Sequence, residues 1–334
     1  MYDILGDTKY TEKTVLEGTN NMRLEMAPLE GLTTYIFRNA YAKYFGQIDK
    51  YYTPFLSLHK EKEFNHKERQ EVLPENNEGL FVVPQVLTNS AEDFLRAAHT
   101  LKELGYEEVN INMGCPSGTV VPKKKGAGML EEPVQLEHFL EECFEKTPLK
   151  ISIKTRLGMK EEEEWERIFA TYQKFPLEEL IVHARVREDY YKKPVRLEAF
   201  GKALEKGPYQ VCYNGDIFSV DDYKRLTERF PKLEAVMLGR GLLRNPGLAD
   251  AIKKASGVDE LNEQEEYSEK LQALHDEIYA GYQKIMSGDR NVLFKMKEFW
   301  SYLLYSYPNM EKRLKNLHKL KNCTEYESWL RVKG

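Results

Sequence analysis

Val109-Asn110-Ile111-Asn112-Met113-Gly114-Cys115-Pro116 decides the reading of this chain: apolar and amide side chains alternate, then run into a glycine, a cysteine and a proline. A strand buried on both faces is normally a near-continuous apolar run, so asparagines on one face mark a side that meets polar company. Comparable strand-like runs end in charged or hydrogen-bonding side chains elsewhere: Lys154 and Arg156 in Ile151-Ser152-Ile153-Lys154-Thr155-Arg156, His183 in Leu180-Ile181-Val182-His183, and Asn214 in Val211-Cys212-Tyr213-Asn214-Gly215-Asp216. In a parallel (β/α) barrel all these strand ends share one face, where active sites are built. Cys115 then stands at the barrel mouth.

Working outward, apolar runs and their breakers place strands near 23–27, 48–53, 80–86, 108–113, 149–155, 178–184, 209–213 and 234–238, most followed by a helix-period segment. Eight such units match an α/β fold of the (β/α)8 TIM-barrel class. Asn89-Ser90 opens a helix over 91–104 that closes at Gly105, and Pro133 suits the first turn of a helix over 133–146. The acidic run Glu161 to Glu164 reads as the solvated start of another helix. Beyond about 256 the strand signal stops. The division expected is an N-terminal extension at 1–21, a barrel over 22–256 and a small all-helical C-terminal domain over 257–334.

With 334 residues, 41% hydrophobic and 31% charged, the chain has the material for one barrel and a small appendage. No run approaches the roughly 18 apolar residues of a membrane span, and the first twenty residues carry no secretory apolar core. Four cysteines without metal-ligand spacing favour a reducing cytoplasm. Cys143 and Cys212 read as core residues and Cys323 as incidental. His59, His66 and His138 show no ligand spacing, and no metal site is expected. A net charge of −5 argues against indiscriminate nucleic-acid binding, yet leaves local basic patches at Lys123-Lys124-Lys125 and along Glu311 to Lys321.

Strand parity sharpens the site. On the fifth strand Ile151, Ile153 and Thr155 share one face and Ser152, Lys154 and Arg156 the other. Positions facing the helices should be apolar, so the second set points into the barrel. The same rule turns Gln85, Asn110, Asn112, His183 and Asn214 inward. Gln85, Asn112, Lys154, His183 and Asn214 form a set of donors and acceptors suited to a flat heterocycle with carbonyl and imide edges, as in a flavin, whose reduced N1/C2=O edge a lysine would stabilise. The loops after the last two strands carry Asn214-Gly215-Asp216-Ile217 and Gly239-Arg240-Gly241, where glycines admit close approach and Arg240 offers a forked cation to phosphate. FMN is the simplest cofactor of that description.

Several segments in order then carry a resemblance: Ala27-Pro28-Leu29-Glu30-Gly31, Gln85, Asn112-Met113-Gly114-Cys115-Pro116-Ser117, Gly126-Ala127-Gly128-Met129-Leu130, Lys154-Thr155-Arg156-Leu157-Gly158, His183, Asn214-Gly215-Asp216 and Gly239-Arg240-Gly241. Over roughly residues 22 to 320 the chain resembles the dihydrouridine synthases, FMN-dependent barrels with a helical RNA-binding domain. The resemblance implies reduction of the uracil C5=C6 bond in RNA, with tRNA the first candidate. NADPH would be the reductant, flavin N5 would deliver hydride to C6, and Cys115 would protonate C5. It implies that Pro28, Gln85, Lys154, His183, Asn214, Gly215, Asp216, Gly239 and Arg240 contact FMN, and that Glu30, Asn112, Arg156 and Tyr191 hold the uridine. The chain departs at Ala184-Arg185-Val186-Arg187, where many members carry glycine, arginine and threonine.

The same implication makes the 123–125 lysines a lid contacting RNA and the basic C-terminal helix an RNA contact, with Tyr302, Tyr305 and Tyr307 as candidate stacking platforms or core. A target uracil would have to leave its stack to enter the barrel, so unpaired uridines are the expected substrates. No membrane and no obligate protein partner are expected. Three other readings stand beside this one: an FMN barrel that reduces a free small molecule, a non-catalytic RNA-binding barrel, and an isomerase or aldolase using Lys154.

Overall fold

The computed structural model describes residues 22–58, 64–255, 263–304 and 311–331. Nine strands are assigned: β1 (Arg23–Met26), β2 (Lys50–Tyr52), β3 (Val82–Val83), β4 (Gln85–Val86), β5 (Glu108–Met113), β6 (Lys150–Arg156), β7 (Glu179–His183), β8 (Gln210–Asn214) and β9 (Ala235–Leu238). All pair in parallel, in the order β3-β2-β1-β9-β8-β7-β6-β5-β4.

The two ends of that order, β3 and β4, are separated in the chain only by Pro84. They are halves of one stave, so the sheet closes into an eight-staved barrel. The strand expected over 80–86 is interrupted because proline has no N–H to give a ladder. Its carbonyl still accepts from the Asn110 amide at 2.8 Å, and the Gln85 amide turns to Thr53 Oγ1 at 3.0 Å. The other seven expected strands each overlap an observed one.

The pleat separates two cores. Val109, Ile111, Ile151, Ile153, Leu180 and Val182 pack outward beneath the helices, whereas Ala27, Tyr52, Val83, Ile181, Cys212, Ala235 and Met237 form an apolar layer inside the barrel. The helices around it are α1 (Tyr35–Tyr44), α2 (His66–Val72), α3 (Ala91–Glu103), α4 (Pro133–Lys146), α5 (Glu164–Tyr172), α6 (Leu197–Lys206), α7 (Val220–Arg229), α8 (Arg240–Arg244) and α9 (Leu248–Ala255). Ser90 caps α3 by accepting from the Asp93 amide at 3.2 Å. The acidic run sits mostly ahead of α5. Glu164 accepts from the amides of Met159, Lys160 and Glu161 and so ties down the preceding turn.

Four further helices follow, α10 (Glu263–Ile285), α11 (Asp289–Leu303), α12 (Glu311–Lys319) and α13 (Cys323–Arg331). Their shared core is aromatic: Tyr326 Oη bridges His275 Nε2 at 2.6 Å and Trp300 Nε1 at 2.7 Å, and Trp329 stacks on Tyr326. Helix α10 lies along α1, with Gly281 so close to Ile36 that an added Cβ would come within 2.7 Å. Helix α11 packs on α8, and Lys295 reaches the Gly31 carbonyl at 2.6 Å in the loop after β1. Among the described residues no helix is long and apolar enough to cross a membrane.

Candidate active site

The C-terminal strand ends surround an open cleft of about 950 Å³, counting solvent at its mouth. Its lining gathers Pro28 and Glu30 from the loop after β1, Asn112 from β5 and Cys115 just beyond it, Lys154 and Arg156 from β6, and His183 and Tyr191 from β7 and its loop. Asn214, Gly215, Asp216, Gly239 and Arg240 complete it. Thirteen of the fourteen expected site residues thus meet in one place.

Gln85 is the exception. It lies one layer deeper, fully buried, donating to Asn110 Oδ1 and accepting from Asn112 Nδ2, both at 2.8 Å. Gln85 faces inward as parity predicts, but β4 starts after Pro84 and pairs Gln85 with Asn110, one layer below Asn112. Gln85 therefore reaches the cleft through Asn112. In turn Asn112 Oδ1 accepts from the amides of Gly114 at 3.1 Å and Cys115 at 2.9 Å, folding the chain back just after the strand.

Under this turn lies the segment 126–131. Gly126 has φ +57°, and a Cβ there would come within 2.9 Å of both Cys115 Cβ and the Cys115 carbonyl oxygen. Only glycine allows that approach. Burial pushes the Cys115 thiol up from its ordinary value, against the opposing pull of the Ser117 amide and the charges of Arg156 and Lys154. It remains a thiol at neutral pH.

Lys154 Nζ donates to Asn214 Oδ1 at 3.0 Å, and Asn214 Nδ2 donates onward to the Met237 carbonyl at 2.8 Å. Burial, then the neighbouring Arg156, pushes Lys154 down to about 8. Arg156 is buried and paired with carbonyls instead of carboxylates, while its Nη2 has no partner among the described residues. An orphaned guanidinium nitrogen on the cleft wall is a donor in want of an acceptor.

His183 is held well below its usual value by burial and by Arg156, Lys154, Arg185 and Arg240. It is neutral. Its Nε2 lies 3.2 Å from Arg185 Nη1, and Arg185 also forms a fork with Asp216. Arg240 donates to the same Asp216 at 2.7 Å, and its guanidinium covers the Tyr191 ring at 4.4 Å. The Asp216 carboxylate is therefore taken up by two arginines, in a position to orient them. Arg185, wholly buried, was not anticipated as part of the site. The Arg185-to-Asp216 pairing joins the loops after β7 and β8, 31 residues apart, and left no local signal.

Other expectations fared unevenly. Lys124 is paired with Glu131 at 2.5 Å. Lys123 remains exposed. On α12 Lys312, Lys315 and Lys319 are exposed, but Arg313 packs on the Trp329 ring at 4.7 Å and donates to its carbonyl. Tyr302 is half-buried near Arg240 and Arg244, and Tyr305, Tyr307 and His59 lie outside the described residues. Cys143 and Cys212 are buried as expected.

At the opposite, N-terminal end, the barrel is filled by an ionic network not anticipated from sequence. Arg23 pairs with Glu25 and Glu179, Lys50 with Glu108 and Glu179, and Tyr52 donates to Glu179 at 2.8 Å. Glu25, Glu179 and Cys212 converge closely enough to resemble a metal site, but these neighbours already occupy the carboxylates. Extending the inward parity four residues back from Asn112, His183 and Asn214 would have found Glu108, Glu179 and Gln210.

Chemically, the cleft offers a cationic floor, glycine-bearing loops beside Arg240 and a thiol at the rim. The comparisons with known proteins agree with that geometry. The dihydrouridine synthase profile, Dus, matches residues 25–326. A tRNA-dihydrouridine(16) synthase of Aquipseudomonas alcaligenes is 27% identical over 323 residues, covering 92% of this chain and 99% of that protein. Its Pseudomonas putida counterpart is 28% identical over 321 residues, 94% and 98% of the two chains. A protein named probable tRNA-dihydrouridine synthase 2 of Bacillus subtilis is 25% identical over 268 residues, 78% of each. In fold, a variant of NCR from Zymomonas mobilis superposes with a TM-score of 0.51 at 13% identity, covering 74% of this chain and 94% of that one. With a profile match along nearly its whole length, the chain belongs to the dihydrouridine synthase family.

Proposed function

We propose that this protein reduces uridine to 5,6-dihydrouridine in tRNA, with bound FMN as the hydride carrier and NADPH as reductant. The observation that carries the reading is Cys115: a protonated thiol, fixed by Asn112 and Gly126, on the rim of a cleft floored by Lys154, His183 and Asn214. The names of the relatives support tRNA as substrate and make uridine 16 the first position to inspect.

The residues fit a flavin mononucleotide. Lys154, Asn214 and His183 offer donors to the polar edge of the ring, and Arg240, beside Gly239 and Gly215, offers a cation to the phosphate, with Asp216 steadying it. When bound, FMN supplies the hydride that adds to uracil C6. Cys115 supplies the proton to C5, and the resulting thiolate is stabilised by the nearby charges of Lys154 and Arg156. The free Nη2 of Arg156, Asn112, Tyr191 and Glu30 surround the place for the uracil. Pro28 walls the cleft, and Gln85 supports Asn112 from below. We read 22–256 as the catalytic barrel and 257–334 as the RNA-docking domain, which the exposed lysines of α12 support. Residues 1–21 lie outside the described residues.

The test is anaerobic. Protein reduced with NADPH is mixed with unmodified tRNA, with free uridine, or with a small enone, and flavin reoxidation is followed by absorbance. Reoxidation by tRNA alone is expected. Reoxidation by the enone but not by RNA would overturn the substrate reading.

A further inference from the structure

Arg185 is only 1% exposed, and each of its three guanidinium nitrogens is engaged in a polar contact. Nε donates to the Lys193 carbonyl at 2.6 Å, Nη1 lies 3.2 Å from His183 Nε2 and 3.1 Å from Asp216 Oδ1, and Nη2 pairs with Asp216 Oδ2. A guanidinium carries hydrogens only and cannot accept. His183 Nε2 must therefore present its lone pair to Arg185, which leaves the ring proton on Nδ1.

We propose that Arg185 is a positioning residue for the reduction, fixing His183 as the neutral Nδ1–H tautomer and, through Asp216, setting the Arg240 guanidinium in the cleft. The inference rests on the flavin reading above. The charged groups that act most strongly on the imidazole, Lys154 and Arg156 from β6, Arg185 beside it and Arg240 from α8, all disfavour a second proton, and the Asp216 carboxylate is held by Arg185 and Arg240. The Tyr191 ring lies beside the imidazole, its centroid 5.7 Å from that of His183. One buried cation thus serves both ends of the site. It keeps His183 a donor at a fixed atom and Arg240 aimed where an anion would bind.

The experiment uses the full chain in two forms. Cofactor-free protein carrying isotope-labelled histidine is titrated by NMR between pH 5 and 7.5, with H183Q assigning the signal among seven histidines. The same proteins are titrated with FMN by fluorescence over that range. In the parent, His183 should stay neutral with a single tautomer signature, and FMN affinity should be flat. Arg185→Met removes the donor to Nε2 and leaves Asp216 held by Arg240 alone, so His183 should titrate. FMN affinity should drop by about tenfold to a hundredfold, the weight of one lost charged hydrogen bond, and gain a pH step that R185M/H183Q lacks. R185K, which keeps the cation, should keep His183 neutral.

A parent-like imidazole and flat affinity in R185M would overturn the proposal. So would a titrating His183 in the parent. If the parent binds no FMN at all, the functional reading falls, while the cofactor-free titration still decides the role of Arg185.

Discussion

Arg156 Nε donates to the Gly114 carbonyl at 2.9 Å, one residue before the thiol at Cys115. Its Nη1 holds the carbonyls of Val186 and Tyr190, both at 3.1 Å. One guanidinium therefore ties the Cys115 loop to the loop that carries Tyr191. Tyr190 sits at φ +47°, a conformation that costs of order 1–3 kcal/mol unless its surroundings hold it.

R156K tests that tie. A lysine keeps the charge but cannot present a planar fork to three carbonyls. Dihydrouridine formation at saturating tRNA should fall by roughly tenfold to a hundredfold, with FMN affinity near the parent's. A parent-like rate would show that the two loops hold themselves in place.

Gly126→Ala separates backbone strain from close approach. Alanine at φ +57° costs about 1–2 kcal/mol by itself, and here its methyl also meets Cys115. Gly105→Ala is the control, with φ +92° and nothing within 4 Å of the added carbon. Urea unfolding should show G126A less stable than G105A, and only G126A should slow product formation.

Lys154, pushed down to about 8, carries its charge below that pH and loses it above. FMN affinity of the parent should therefore decline as pH rises through and beyond 8, the bound anion moving the step somewhat upward. Fluorescence titration between pH 7.5 and 10 reads this directly, and Lys154→Met should bind weakly with no such step.

Glu25 at the closed end of the barrel is pushed up to about 8 by burial and the adjacent Glu179, against the pull of Arg23 and Lys50. The folded chain keeps this proton up to about pH 8, whereas the unfolded chain releases it near the ordinary carboxylate value. Stability is therefore lost as pH rises between those limits, by at most about 1.4 kcal/mol per pH unit. E25Q removes the contribution. Its stability relative to the parent, measured with urea, should grow from pH 5 to pH 8, and parallel curves would refute the assignment.

What sequence reveals and conceals here follows from range. The inward set Asn112, Lys154, His183 and Asn214 was legible because parity is local and one polar face interrupts an apolar strand. Cys115 and Gly126 were legible because glycine and proline punctuate a chain visibly. Pro84 was visible too, but not that the stave would pass its hydrogen bonds from one neighbour to the other there, which sets Gln85 a layer down. The Arg185 fork links the ends of two neighbouring staves, β7 and β8, across 31 residues of chain, whereas the Arg23, Glu25, Lys50, Glu108 and Glu179 contacts join staves from opposite parts of the chain. Those ionic contacts exist only once the ring has closed.

The most direct measurement is nucleoside mass spectrometry on unmodified tRNA incubated with the purified protein, FMN and NADPH, beside Cys115→Ala. The parent should form dihydrouridine, and C115A should form almost none while NADPH still bleaches its flavin. Product at parent rates from C115A, or none from a parent whose flavin NADPH reduces, would contradict the account.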